Sequence, residues 1–258
     1  MGSQTTQVYD DVIGRVLARE LMPGDRINER DLQDRLELSA TPVREAIIAL
    51  EATGIAQRKP RSGARITSLD LEGLIKLIEV HAEIEGSIAS RAARRINTAQ
   101  AKHLEQAVQA CHGFNASDTP RQVQYFDLNL SFHRCLTQAA GNEHLQAALH
   151  FTGNRLIGYL AARHALPQEP LRSAADHQNI CQAVLDSNAD KARDLMINHV
   201  VFDSNLALDI MNGLNDARVV PPPLPGPGTP AGKAPTPAGK APRPTGPHIS
   251  PILPKGRR

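Results

Sequence analysis

The sequence is poor in residues that several protein classes require. It has no Trp, and aromatic residues make up 3% of its 258 positions. A core with so few aromatics has to be built from Leu, Ile, Val and Ala, and this mix favours packed helices over a β-sandwich. The three cysteines include no C-x-x-C pair. A disulfide framework is therefore not expected, and the composition predicts a reducing, cytoplasmic location.

Long apolar runs are also missing. No stretch approaches the roughly 18 apolar residues that a membrane-spanning helix needs. The first residues, "MGSQTT", lack the charged start and apolar stretch of a secretion signal. We therefore expect a protein without a membrane partner.

Acidic residues are absent from one part of the chain. Residues 218–258 hold seven Lys or Arg and no Asp or Glu, which leaves the remainder net acidic although the whole chain has a formal charge of +2. This tail is rich in Pro and Gly and contains "TPAGKAP" twice in succession. Residues 216–258 are therefore predicted to be disordered. The tail is either an inert extension or a loose polycation that contacts DNA phosphates without reading sequence.

The N-terminal segment has the pattern of three short helices. The first helix has one apolar face, formed by Val8, Val12, Val16, Leu17 and Leu21. The turn "MPGD" follows, and Asn28 can cap a second helix with Asp31 as its capping-box partner. Thr41 is a plausible cap for the third helix, with Pro42 at its first position.

Two short strands follow these helices. "IAQRK" and "ARIT" flank the turn "PRSG", and this order predicts a winged helix-turn-helix that presents the start of its third helix to a DNA major groove. Ser39 and Thr41 are small enough to approach phosphates, and Arg44 can reach a phosphate or a guanine edge. The wing is basic through Arg58, Lys59, Arg61 and Arg65. A small helical domain with an ordinary solvated face is the alternative.

The stretch "PGDRINERDLQDRLELSATPVREAIIALEATGIAQRKPRSGARI" resembles the DNA-binding domain of GntR-family transcription regulators. The resemblance implies DNA contacts from Arg30, Ser39, Thr41, Arg44 and the wing around Gly63. Ala40 stands where the family often has a base-reading Arg. We therefore expect an operator that differs from those of typical relatives.

The rest of the chain has helical patterns and few alternating segments. An apolar face runs through the first of these helices in Leu71, Leu74, Ile75, Ile78 and Ala82, and further helices are predicted around 99–112, 121–140, 143–165, 173–187 and 189–213. The predicted fold class is mainly α, a winged helix-turn-helix in 1–68 followed by an all-helical bundle in 69–215. This resembles the FadR branch of the GntR family, whose ligand-binding domain is the helical FCD domain.

Histidines recur in this second half. Asn129 and His133 are four residues apart and so lie on one helix face. "NLSFHRCLTQAAGN" and "DHQNICQAVLDSNADKAR" resemble FCD signatures, which implies that His177 and His199 join them around a divalent metal. Three imidazoles and one oxygen suit Zn²⁺, with Ni²⁺ or Mn²⁺ as alternatives. Cys181, one turn after His177, is expected to be a small buried hydrophobe rather than a ligand.

Two departures from the family concern the ligand. Asn129 is neutral where a carboxylate is common, so an incoming organic acid could supply an anionic oxygen to the metal. His81 stands where many relatives have an Arg that pairs with a carboxylate. Arg155 is the remaining candidate for the counter-charge of an acid, or else an ordinary surface residue.

These patterns predict a homodimeric regulator that binds a double-stranded DNA operator and responds to a small organic acid. A metal-dependent hydrolase or lyase with a DNA-binding appendage is the rival hypothesis, although no general-base motif such as H-E-x-x-H is present. A third hypothesis is a metal sensor, in which the ion itself is the signal.

Overall fold

A computed structural model of the chain describes residues 1–59, 63–114 and 122–219. The N-terminal elements are α1 (Ser3–Leu17), α2 (Glu29–Leu36), α3 (Ala40–Ala52), β1 (Ala56–Lys59) and β2 (Gly63–Ile66). They are followed by α4 (Leu71–Arg95), α5 (Thr98–His112), α6 (Gln122–Ala140), α7 (Glu143–His164), α8 (Glu169–Leu185), α9 (Ala189–Val200) and α10 (Ser204–Val219). The predicted fold class is confirmed: a winged helix-turn-helix precedes a bundle of helices.

The apolar face of α1 forms one wall of the N-terminal core. Val8, Val12 and Val16 are at most 1% exposed, and they pack with residues of α3 such as Val43 and Leu50. The 3.6-residue period of a helix places these valines in one stripe, as the sequence predicted.

The second helix begins as predicted, but its cap differs in one detail. The side-chain oxygen of Asn28 accepts hydrogen bonds from the backbone N–H groups of Arg30 and Asp31. Asp31 does not complete a capping box, since its carboxylate instead accepts a hydrogen bond from the Arg15 guanidinium, with N and O 3.0 Å apart. A tertiary contact from α1 thus engages the carboxylate that the sequence assigned to the cap.

The third helix begins earlier than the sequence predicted. Ser39, not Thr41, is the N-cap residue, and Pro42 is the third helical residue rather than the first. A proline fits there because none of the N–H groups of the first helical turn has a partner within the helix. The Ser39 side chain makes no capping hydrogen bond. The N–H groups at the start of α3 therefore have no side-chain cap from this residue.

The wing is a two-stranded antiparallel sheet. Ala56 pairs with Ile66 and Lys59 with Gly63, and a single bridge joins Arg26 to Arg65. Residues 60–62, which form most of the predicted turn and include Arg61, lie outside the described residues.

The long helix α4 is central to the bundle. It packs against α6, α7, α8 and α9, and its residues Leu74, Ile78 and Ala82 are buried as predicted. Gly86 allows α9 to approach closely, since a Cβ at this position would lie 2.7 Å from Ile197.

The segment 189–213, which the sequence predicted as one helix, forms two helices. The helical conformation is interrupted between Val200 and Ser204. Arg163 of α7 donates hydrogen bonds to the backbone carbonyls of His199 and Val200, at 2.8 and 3.1 Å. Asp203 then accepts a hydrogen bond from the N–H of Leu206 and so starts α10. The buried guanidinium stabilises the end of α9 by binding carbonyls that a continuous helix would use internally.

The two halves of the chain share a hydrophobic core. Phe126 of α6 and Ile157 and Ala161 of α7 are buried among the residues of the winged helix-turn-helix. Gly158 brings α7 close to Pro23, since a Cβ there would lie 2.9 Å from the proline ring. Helix α7 is therefore in contact with both the bundle and the DNA-binding half.

Candidate metal centre and nucleic-acid interface

Three histidines from three different helices meet inside the bundle. His133 of α6, His177 of α8 and His199 of α9 each offer one ligand atom, and these atoms lie within 4.8 Å of one another. His177 is fully buried and His199 is 4% exposed. The sequence signatures that predicted this group are far apart along the chain, and only helix packing brings the imidazoles together.

The spacing of the imidazole nitrogens fits a metal ion. The Nε2 atoms of His177 and His199 are 3.2 Å apart. Two nitrogens bound to one tetrahedral Zn²⁺ at the usual bond length would be about 3.4 Å apart. The two nitrogens face each other at a separation that a single ion can bridge without a large movement of either helix.

Asn129 belongs to the same buried region through a serine. The Ser173 hydroxyl lies 3.4 Å from Asn129 Oδ1 and 3.5 Å from His177 Nε2. Asn129 is 6% exposed. The hydroxyl of Ser173 therefore lies between the predicted oxygen ligand, Asn129, and the imidazole of His177.

Two carboxylates that the sequence did not predict lie next to the Nδ1 atoms of His199 and His133. His199 Nδ1 lies 3.1 Å from Asp176 Oδ2, and His133 Nδ1 lies 3.1 Å from Glu85 Oε1. Metal-binding histidines commonly donate their second ring N–H to a carboxylate, which fixes the ring orientation. The His199 contact has hydrogen-bond geometry, whereas the His133 contact is an ion-pair distance, and Nδ1 of His133 makes no hydrogen bond to the described residues. Both contacts involve Nδ1 and so leave Nε2 of the histidine for an ion. Asp176 precedes His177 in the chain, but nothing in that adjacency indicates that it contacts His199.

Burial keeps His177 and His199 in the form that binds metals. Desolvation lowers the pKa of His177 and of His199 well below the ordinary value, with the neighbouring imidazoles adding to the effect. Neutral imidazole is the ligand form of histidine. Burial raises the pKa of Cys181 to about 11, so this thiol stays protonated.

His81, one of the two predicted effector-binding residues, lies at the edge of this network. Its Nδ1 is 2.7 Å from the Thr152 hydroxyl of α7, and its Nε2 is 4.0 Å from Glu85 Oε1. Burial lowers the pKa of His81 to about 4. The side chain is therefore neutral near pH 7 and offers hydrogen bonds rather than a charge.

Arg155, the other predicted effector-binding residue, lies on α7 beside the DNA-binding half. Its Cγ lies 3.0 Å from the position that a Cβ would take on Gly54. Its guanidinium carbon lies 5.8 Å from the centroid of the Phe151 ring. These contacts belong to the junction between the two halves. An effector contact by Arg155 stays a prediction.

The buried neutral histidines make stability depend on pH. The pKa of His81 is about 4 in the folded state and near 6.5 when the side chain is exposed. Between these pH values the unfolded chain binds a proton at His81 that the folded protein does not bind. We expect the metal-free protein to lose stability as the pH falls from 6.5 to about 4, by at most about 1.4 kcal/mol per pH unit from His81. Urea unfolding at several pH values in the presence of a chelator measures this. A His81→Phe variant should have a shallower dependence, and an unchanged slope would contradict the assignment.

The predicted DNA-contacting residues of α2 and α3 are accessible to solvent. Arg30, Ser39, Thr41 and Arg44 are all exposed, at the starts of α2 and α3. Arg44 is 69% exposed in its side chain and lies 3.3 Å from the Glu29 carboxylate. Gly63 begins β2 with a φ of +72°, a left-handed conformation that favours glycine. Arg61 lies outside the described residues.

A winged helix-turn-helix joined to a helical domain with an enclosed histidine cluster defines a class of DNA-binding regulators. Sequence profiles of known families match both parts: "Bacterial regulatory proteins, gntR family" over residues 4–66 and "FCD domain" over residues 76–202. The chain belongs to the GntR family and carries an FCD domain. It is therefore a transcription regulator and not an enzyme.

Curated relatives are regulators of similar length. The chain is 27% identical over 208 residues to the HTH-type transcriptional repressor RspR of Escherichia coli, covering 76% of this chain and 87% of that protein. It is 28% identical over 198 residues to a probable D-xylose utilization operon transcriptional repressor of Paenarthrobacter nicotinovorans, covering 76% and 84%.

Solved structures share the fold. Escherichia coli McbR/YncC has a TM-score of 0.64 at 17% identity, over 84% of this chain and all of that one. A putative GntR regulator from Rhodococcus sp. RHA1 has a TM-score of 0.65 at 15% identity, over 82% and 99%. Among the described residues, no helix has the length and apolar character needed to span a bilayer.

Proposed function

We propose that this protein is a metal-containing, ligand-responsive repressor of the FadR branch, in which a small organic acid bound beside the metal controls operator affinity. The observation that carries the proposal is the convergence of His133, His177 and His199 in a domain that shares its core with the winged helix-turn-helix. Repression is proposed because the relatives from Escherichia coli and Paenarthrobacter nicotinovorans are named as repressors.

The proposed metal site consists of Asn129, His133, His177 and His199. A divalent ion such as Zn²⁺ would supply a Lewis-acidic centre to which oxygens of an organic acid can bind. Residues of this chain orient two of the imidazoles, Asp176 by its contact with His199 and Glu85 by its contact with His133. Ni²⁺ and Mn²⁺ are alternative occupants.

Helix α7 provides a direct physical connection between this site and the recognition helix. Its Thr152 hydroxyl contacts His81 on the metal side, and two residues further along Asn154 donates a hydrogen bond to the Thr53 carbonyl at 3.1 Å. Thr53 is the C-cap residue of α3. A small shift of α7 would therefore move the end of the recognition helix directly.

A second contact ties the same helix to the linker between the two halves. The Tyr159 hydroxyl donates to the Leu69 carbonyl and accepts from the Leu69 N–H, at 3.1 and 2.7 Å. Leu69 lies between β2 and α4. The orientation of the winged half thus depends on α7 at two points.

Operator control also requires two copies of the chain. We propose a homodimer whose recognition helices meet two half-sites about one helical turn of DNA apart. A ligand that favours one arrangement of the halves over another would change this separation and lower operator affinity.

The test is a set of DNA titrations with metal-free and zinc-loaded protein, using a duplex selected from a random-sequence pool. We expect zinc to bind and at least one member of a panel of small organic acids to weaken DNA binding by about 5–150-fold, the usual range of allosteric coupling. A change in DNA affinity on zinc removal alone would identify the ion as the signal. Failure of the wild-type protein to bind any divalent ion would refute the proposal.

Asn154→Ala tests the connection within the same titrations. This variant loses the hydrogen bond to Thr53 but keeps every proposed metal residue, so zinc binding should be unchanged while the response to acid or metal shrinks. Asn188→Ala, which removes a cap of α9 on the other side of the bundle, is the control for a general loss of stability. An undiminished response in Asn154→Ala would show that the coupling uses other contacts.

A further inference from the structure

Glu85 of α4 is the most deeply buried carboxylate near the histidine cluster. Its side chain is 5% exposed, and its Oε1 lies 3.1 Å from His133 Nδ1. Its other oxygen, Oε2, is buried and has no hydrogen-bond partner among residues 1–59, 63–114 and 122–219. A carboxylate in this setting is costly unless a positive charge lies near it.

The other charged groups around the cluster already have partners of opposite sign. Arg163 pairs with Glu169 at 2.8 Å, and Asp176 lies 4.0 Å from the Arg172 guanidinium. The ion-pair contacts of Glu85 in the described part of the chain are with the imidazoles of His81 and His133. Glu85 thus lacks a permanent cationic partner, while the site next to it is suited to a divalent cation.

We propose that Glu85 is a fifth residue of the metal site, which supplies the negative charge that the neutral Asn129 does not. It acts through His133: with its Oε1 3.1 Å from Nδ1, the carboxylate favours the imidazole tautomer that carries its proton on Nδ1 and so leaves Nε2 for the ion. This assignment rests on the proposed metal site. The anionic group of the site is then Glu85 on α4, the helix that follows the wing. It is not a residue of α6, where Asn129 lies.

The comparison with Asp176 shows why Glu85 should dominate. Asp176 contacts His199 at the same 3.1 Å distance, but its side chain is 32% exposed and its charge is shared with Arg172. Charges separated from water act on each other more strongly than charges at the surface. Glu85 should therefore contribute more to the affinity for a cation than Asp176 does.

The first experiment measures Zn²⁺ affinity by competition with a chromophoric chelator. Glu85→Gln should bind Zn²⁺ about 10–100-fold more weakly than wild type, as is usual when the carboxylate behind a ligating histidine is removed. Its metal-free form should stay folded, because the amide has nearly the size of the carboxylate and removes a buried charge. Glu83→Gln is the matched control, since Glu83 is 58% exposed on the same helix and pairs with Arg193. Wild-type Zn²⁺ affinity in Glu85→Gln would overturn the inference.

The second experiment moves the charge to the opposite helix. Adding Asn129→Asp to Glu85→Gln restores one carboxylate beside the ion and should recover most of the lost Zn²⁺ affinity. A double variant that binds no more tightly than Glu85→Gln would show that Glu85 does not act by supplying charge, and would overturn the proposal.

A third measurement needs no substitution and so does not depend on the variants folding. Nitrogen NMR of the zinc-loaded wild-type protein should show His133 coordinated through Nε2 and protonated at Nδ1. Coordination through Nδ1 would rule out the contact with Glu85. These outcomes separate the two proposals: wild type that binds no Zn²⁺ refutes the metal site itself, whereas wild type that binds Zn²⁺ equally well without Glu85 refutes only this inference.

Discussion

His177→Ala is expected to lower the zinc content of protein that is purified and then dialysed against a weak chelator. The Nε2 of His177 faces that of His199 across 3.2 Å, and the ring is fully buried. A structural zinc site contributes on the order of 12 kcal/mol over four ligands, so one ligand accounts for about 3 kcal/mol. Loss of that ligand corresponds to an affinity decrease on the order of 100-fold. Elemental analysis of the purified variant measures the result.

The control is His103→Ala, which removes an exposed histidine from α5. It should retain the wild-type zinc content. Because the His177 ring stacks on Phe132 at 3.8 Å between centroids, the alanine variant also loses packing. His177→Gln fills more of that space and distinguishes the loss of a ligand from the loss of the fold, which circular dichroism monitors. Full zinc occupancy in both His177 variants would reduce this residue to a core histidine, and the metal site would have to be abandoned.

Arg44→Ala is expected to lower operator affinity by about 1–3 kcal/mol, the usual effect of removing an arginine that contacts a base edge or a phosphate. Arg44 lies in the second turn of the recognition helix with 69% of its side chain exposed, and its only ion pair is with the exposed Glu29 among the described residues. Such a surface pair contributes little to folding. The variant should therefore fold normally and lose DNA contacts alone.

Arg94→Ala is the matched control, because Arg94 is 65% exposed and also has a surface ion pair, but it lies at the end of α4. Fluorescence anisotropy with the selected duplex at physiological salt compares the two variants. Equal affinities for wild type and Arg44→Ala would contradict docking of α3 in the major groove.

The local elements of this protein could be predicted from sequence because their causes are local. The valine stripe of α1, the Asn28 cap of α2 and the Pro-Gly turn between them depend on residues within one or two helical turns. The start of α3 was misplaced by two residues because Ser39 and Thr41 are both good caps, and propensity does not distinguish them. The prediction of one helix over 189–213 was wrong for a different reason. Arg163, which lies on α7, binds the carbonyls of His199 and Val200 at the end of α9.

The sequence by itself determined the mainly helical fold class, the winged helix-turn-helix and the three histidines that meet in the bundle, because periodicity, caps and family motifs are written along the chain. Only the tertiary structure decided the surroundings of those histidines. Glu85, Asp176 and Ser173 contact them from α4 and α8, and Asn154 reaches Thr53 across 101 positions. No local pattern distinguishes these four residues from other polar residues on a helix. Their roles arise when helices distant in sequence pack together and remove water from the groups between them.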